Sequence, residues 1–192
     1  MRFRPAAAAA LALTTVVGLA AYLWPFFAAP GFSTSYGQDA PWLFASLLGL
    51  MAFVVLAEVT ANGLDAKTVA VLGVLAAAGG SLRVLSAGTA GLEPIFVIFV
   101  LGGRVLGRSM GFLMGSLAML AGAFLTAGVG PWLPFQMLGA GWVALGAAML
   151  PRATGRVELA MLAGYGAFAG LAYGALLNLW FWPFLAPASA PT

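Results

Sequence analysis

Apolar residues run along this chain in seven long stretches, at about Ala6–Ala29, Pro41–Ala61, Thr68–Ser86, Leu92–Gly107, Ser109–Ala127, Pro134–Leu150 and Glu158–Phe184. Charged residues fall mostly between them or near their ends. A helix needs roughly 17–25 apolar residues to cross the hydrocarbon core of a bilayer, and most of these stretches are of that order. The fourth and sixth sit at the lower limit, which fits a small tilt or partial re-entry. Strands of a membrane barrel would alternate apolar and polar residues, and these stretches do not. The pattern therefore predicts an all-α integral membrane protein of about six to seven transmembrane helices, forming a single polytopic domain over residues 1–192.

Composition supports the same solvent. The chain is 63% hydrophobic and 7% charged, where a soluble domain carries roughly a quarter charged residues. Its mean hydropathy is +1.05. Too few charges remain to build a water-facing shell. The net charge of +3 is no sign of nucleic-acid binding, because in such a protein the placement of basic residues carries the information. With the N-terminus in the cytoplasm, Arg2, Arg4, Lys67, Arg104, Arg108, Arg152 and Arg156 all fall on the inner side, and of the eight basic residues only Arg83 does not. That asymmetry sets the predicted orientation. Trp24, Trp42, Trp132, Trp180 and Trp182 then lie at outer ends. An interfacial belt explains them, and an outward-facing pocket is the second reading. The start "MRFRPAAAAALALTTVVGLAAYLW" shares a basic beginning and an apolar run with signal peptides. The run continues to about Ala29, so an uncleaved first helix is expected.

Small residues recur at helical spacing. Gly103, Gly107, Gly111 and Gly115 form one ladder, and Gly166, Gly170 and Gly174 another. Gly73 pairs with Ala77, and Ala76 with Gly80. Such spacing lets helices approach closely in lipid, either within this chain or against a partner.

Candidate chemistry is sparse. The chain holds neither cysteine nor histidine, which removes thiol chemistry, disulfides and the commonest general base. Its one lysine, Lys67 in "LDAKT", follows no glycine-rich phosphate loop. The five acidic residues, Asp39, Glu58, Asp65, Glu93 and Glu158, lack metal-ligand spacing. No enzymatic activity, cofactor or metal site is expected. Ionisable residues within apolar stretches are functional candidates by default. Glu58 can snorkel to the inner surface. Arg83 and Glu93 flank the outer loop "LSAGTAGLEP" and can pair or face a ligand. Asn178 in the last helix needs a partner for its amide. In "GVGPWLPFQML", Pro134 suits a first helical turn and Gly130–Pro131 a rigid link, presenting Trp132 and Gln136 at the outer mouth of the sixth stretch. A membrane-anchoring loop is the plainer alternative.

Four runs, "LDAKTVAVLGVLAAAGGSLRVL", "GTAGLEPIFVIFVLGGRVLG", "LTAGVGPWLPFQMLGAGWVALGAAMLP" and "YGALLNLWFWPF", resemble the substrate-binding S component of energy-coupling-factor (ECF) transporters, nearest the actinobacterial group assigned to cobalamin. The likeness covers roughly Glu58 to Phe184, and "GPWLPFQM" is its most specific block. It implies an ABC-type importer subunit that captures a vitamin outside the cell, hydrolyses nothing, and works with a T component and two cytoplasmic ATPases. It divides the chain into two N-terminal helices over 1–61, an S-component-like core over 62–184 and a tail over 185–192. It assigns Trp132, Phe135, Gln136, Asn178, Trp180 and Trp182 to the ligand pocket, with Arg83 and Glu93 at its edge, and Ala66, Ala70, Gly73, Ala77 and Gly80 to T-component docking. Relatives have six helices and continue past the block matching "WFWPF". Here two segments precede the usual first helix and the sequence stops at Thr192, as a shortened member or an incomplete chain would. The competing readings are an S component for another small vitamin and a structural or assembly membrane protein that binds no ligand.

Overall fold

A computed structural model describes residues 5–23, 26, 45–46, 48–50, 52–53, 60, 66–86, 93–130 and 132–185. Their regular structure is helical. We label the long helices α1 (Pro5–Tyr22), α2 (Ala66–Ser86), α3 (Ile95–Leu106), α4 (Arg108–Leu125), α5 (Leu133–Met149) and α6 (Gly155–Leu185). The expected stretch Pro41–Ala61 lies largely outside the described residues, although residues 48–50 within it are helical.

Helix ends fall where the backbone chemistry allows them. The helices α3 and α4, formed from the fourth and fifth predicted stretches, are separated by Gly107 alone, whose φ of 85° and ψ of −173° suit only glycine. Its N–H caps the carbonyl of Gly103 and its carbonyl accepts from Gly111 N–H, so one residue reverses the chain. α4 ends with the Thr126 N–H on the Gly122 carbonyl and the Gly128 N–H on the Ala123 carbonyl. Between them Ala127 holds a left-handed φ of 53°, the conformation a helix terminus of this kind demands. α1 is shorter than the predicted Ala6–Ala29 and ends ahead of Pro25 in the sequence; proline disfavours helix in the residue before it.

The α4–α5 hairpin is the centre. α2 packs along α4, α3 against both α4 and α5, and α6 and α1 cover α5 from outside. Phe99, Phe112, Met114, Phe135 and Leu138 fill the interior. Small residues set the closest crossings. A Cβ on Gly103 would overlap the Ala144 carbonyl, and one on Gly111 would stand 2.8 Å from the Gly103 Cα. Gly103, Gly111 and Gly115 of the first ladder are thus spent on packing within the chain, and Gly107 on the turn. In the second, added Cβ atoms on Gly170 and Gly174 meet nothing within 4 Å.

Hydroxyls tie the flanking helices to α5. Tyr22 donates to the Phe135 carbonyl, Ser116 to Met137 and Tyr165 to Val143. At the opposite end from Phe135, the Arg104 guanidinium donates to the Leu150 and Pro151 carbonyls at 2.7 and 2.8 Å. It also grips both carboxylate oxygens of Glu158 at 2.6 and 2.9 Å. Arg104 therefore satisfies the Leu150 and Pro151 carbonyls just past the end of α5 and joins α3 to the α5–α6 link and to α6.

Length and apolar character suffice for membrane crossing in three of these helices, over Ala66–Leu85, Arg108–Leu125 and Gly155–Phe181. The expected six to seven crossings are thus not matched in full among the described residues, because the break at Gly107 and the starts after Pro94 and Trp132 leave α3 and α5 short. Burial divides the long helices sharply: 67% of the α4 span is inside the bundle but only 6% of the α6 span. Val157, Leu159, Phe168 and Leu171 of α6 are each about two-thirds exposed or more. An apolar patch of this extent marks a surface that contacts something other than water.

Candidate functional site

The bundle end that carries the start of α5 holds a cavity of about 310 Å³, lined by Trp132, Gln136, Leu177, Asn178, Trp180 and Phe181. Two sequence regions some forty residues apart converge there because α5 begins and α6 ends at the same end of the bundle.

The "GVGPWLPFQML" stretch builds one wall. The Gly128 carbonyl accepts a hydrogen bond from the Trp132 indole N–H at 3.1 Å, which folds the ring back over the link. A side chain at Gly130 would collide with that ring and displace it. The Leu133 N–H bonds to the Gly130 carbonyl, and Gln136 N–H to the Trp132 carbonyl. Trp132 thus presents an apolar ring whose donor is already used. One turn on, Gln136 brings an amide to the cavity.

The other wall is the last part of α6. Residues 177, 178, 180 and 181 share one helical face through their i, i+3 and i+4 spacing. Trp180 is only 3% exposed. Its ring lies 4.3 Å, centroid to centroid, from that of Phe135 and 5.9 Å from that of Phe181. Phe135 also meets Tyr22 edge-on at 5.2 Å.

Placement of the predicted residues differs in detail. Trp132, Gln136, Asn178 and Trp180 come together on the cavity. Phe135, expected beside them, is 1% exposed and stands behind Trp180 as core; as residue 135 it points a helical step away from the face of 132 and 136. Asn178, expected to be a buried amide, is exposed, because it faces the open cavity while Trp180, two residues on, turns into the core. Trp182 falls in the last turns of α6 and its side chain lies outside the described residues. Glu58 also lies outside them. Leu177 and Phe181 were missed, and the helical period counted from Asn178 and Trp180 was the signal available for them.

Arg83 takes an unexpected partner. Its stem crosses Gly122, where an added Cβ would stand 2.8 Å from the Arg83 Cδ. Its Nη1 lies against Met119 Sδ, and its Nη2 donates to Gln136 Oε1 at 3.1 Å. The salt bridge among the described residues joins Arg104 to Glu158 rather than Arg83 to Glu93. Glu93 is exposed just ahead of α3 and outside the cavity lining.

The expected docking helix is α2. Ala66, Ala70, Gly73 and Ala77 form an exposed stripe on it, and an added Cβ at Gly73 meets nothing within 4 Å. Gly80 departs from that stripe. It is buried, and its added Cβ would stand 2.8 Å from the Gly122 nitrogen, so it serves the α2–α4 crossing.

Compared with protein-family models, with curated proteins and with solved structures, the chain gives no match.

Proposed function

We propose that this chain is the substrate-binding S component of an ECF-type importer, an integral protein of a bacterial plasma membrane with a cytoplasmic N-terminus. The supporting observation is convergence: Trp132, Gln136, Asn178 and Trp180, selected from two separate sequence blocks, line one cavity at one end of the bundle. The Arg104 cluster and the α3–α4 reversal occupy the other end, where the positive-inside rule puts the cytoplasm. The cavity then faces outward.

In this role the aromatic walls remove a flat apolar surface from water and the two amides orient it, which is the common composition of a small-molecule site. Captured ligand passes to a T component driven by two cytoplasmic ATPases. The exposed stripe Ala66, Ala70, Gly73 and Ala77 is the docking face, since side chains this small let a partner helix approach closely. Cobalamin is the first ligand to test. The volume of about 310 Å³ lies at the low end of ligand sites, roughly 300–1,000 Å³, and this favours a second reading in which a smaller vitamin fills the cavity. A corrin would insert only an edge.

The deciding experiment is an absorbance spectrum of the purified, detergent-solubilised protein after incubation with excess cobalamin and desalting. A stoichiometric corrin band is expected. A folded sample with no band removes cobalamin and calls for a vitamin panel read by tryptophan quenching. A blank panel overturns the binding reading in favour of a structural membrane protein.

A further inference from the structure

The Arg83–Gln136 pair has chemical content beyond packing. A glutamine amide has an oxygen arm that accepts and a nitrogen arm that donates, and free rotation would let it serve either kind of ligand group. A guanidinium has donors only. Facing Arg83, the amide must therefore turn its oxygen to the guanidinium, and the contact is Nη2 to Oε1 at 3.1 Å. The nitrogen arm is the one left for the cavity that Gln136 lines. A hydrogen bond to a cation also polarises the amide and strengthens its remaining N–H groups as donors.

Among the described lining groups, the Asn178 amide is the one whose oxygen can offset this bias. The Trp132 N–H is held by the Gly128 carbonyl. Leu177 and Phe181 are apolar, and Asn178 offers both arms of its amide. Among the described residues no carboxylate lines the cavity. The Arg83 stem lies against Gly122 and its guanidinium against Met119 Sδ.

We infer that Arg83 is a positioning residue that locks the Gln136 amide as a donor, so that the cavity prefers aromatic or heterocyclic ligands carrying a carbonyl or carboxylate oxygen over those carrying an ammonium. The inference rests on the cavity being a ligand site, as proposed above, and on no particular vitamin.

The test uses three probes of one size, benzoate, benzamide and benzylammonium, titrated into the full chain in detergent, with quenching of tryptophan fluorescence as the readout. Benzoate and benzamide should bind at least about tenfold more tightly than benzylammonium, the range expected when donors are left facing donors. In Arg83→Met the preference should fall towards unity, because the amide is free to rotate. In Gln136→Glu, where the acid keeps Arg83 but loses the N–H groups, benzoate should lose most. Arg83→Lys, which still offers only donors to Oε1, should retain the order of the three. A structural role for Arg83 would change all affinities together and leave their ratio untouched. Equal binding of the probes to the wild type, or an unchanged ratio in Arg83→Met, overturns the inference alone. If none of the three binds a wild type that does bind a vitamin of the panel, the inference falls alone; if the panel is blank as well, the ligand-site reading falls and takes the inference with it.

Discussion

Gly115→Ala adds one methyl group where the structure has no room for it. The new Cβ would stand 2.5 Å from the Ala140 carbonyl oxygen, 2.9 Å from its carbon and 3.2 Å from the Gly141 nitrogen. The first of these falls about 0.9 Å short of the 3.4 Å at which ordinary contact begins. All three neighbours are backbone atoms of α5, so no change of rotamer relieves the clash and the α4 and α5 axes must separate. Overpacking of this kind costs about 1–3 kcal/mol. Two companion substitutions make the reasoning falsifiable. Gly73→Ala meets nothing within 4 Å and should gain about 0.5–1 kcal/mol from the reduced backbone entropy of alanine. Gly102→Ala meets only the Met114 side chain, whose flexible thioether can move aside, and should fall between the two. Thermal unfolding of each variant in the same detergent, followed by circular dichroism, gives the order, at about 2–4 °C per kcal/mol for a chain of this size. If Gly115→Ala unfolds no earlier than the wild type, or Gly73→Ala loses as much, then the α4–α5 contact is not where the glycines act.

Further outcomes are expected. Trp132→Ala combined with Gln136→Ala should weaken ligand binding without unfolding the protein; unchanged affinity would make this stretch a membrane anchor. Under the proposed role, Gly73→Leu or Ala77→Leu should abolish co-purification with a T component while ligand binding persists, and retained assembly of both variants would remove α2 as the docking helix. Ala127→Gly should raise stability by up to about 1 kcal/mol, because a left-handed alanine carries strain that glycine lacks, and denaturant titration reads this directly. Arg104→Met should speed hydrogen exchange at the Ala153 amide, which bonds to the Glu158 carboxylate that Arg104 holds; unchanged exchange there would mean that Glu158 needs no such support.

Much of the architecture was legible in the residues alone. The apolar stretches predicted α2 to α6 to within about three residues at nearly every end, since Gly107, Pro134 and the basic links punctuate helices by local chemistry that needs no tertiary context. The pairing of Trp132 with Gln136 followed from one helical turn. What the chain did not reveal was orientation. In a soluble helix a polar face marks the side turned away from the core. Here nearly every face is apolar, so Gly73 and Gly80 read alike although one is open and the other lies against Gly122. For the same reason Phe135 and Trp132 both looked like cavity residues, and only packing against Trp180 and Tyr22 sent Phe135 to the core. The Arg83–Gln136 contact joins positions 53 residues apart. It arises because α2 and α5 both lie against α4, a relation fixed by the fit of small residues to backbone across helices. That fit is a property of pairs of surfaces and is written in no single stretch of sequence.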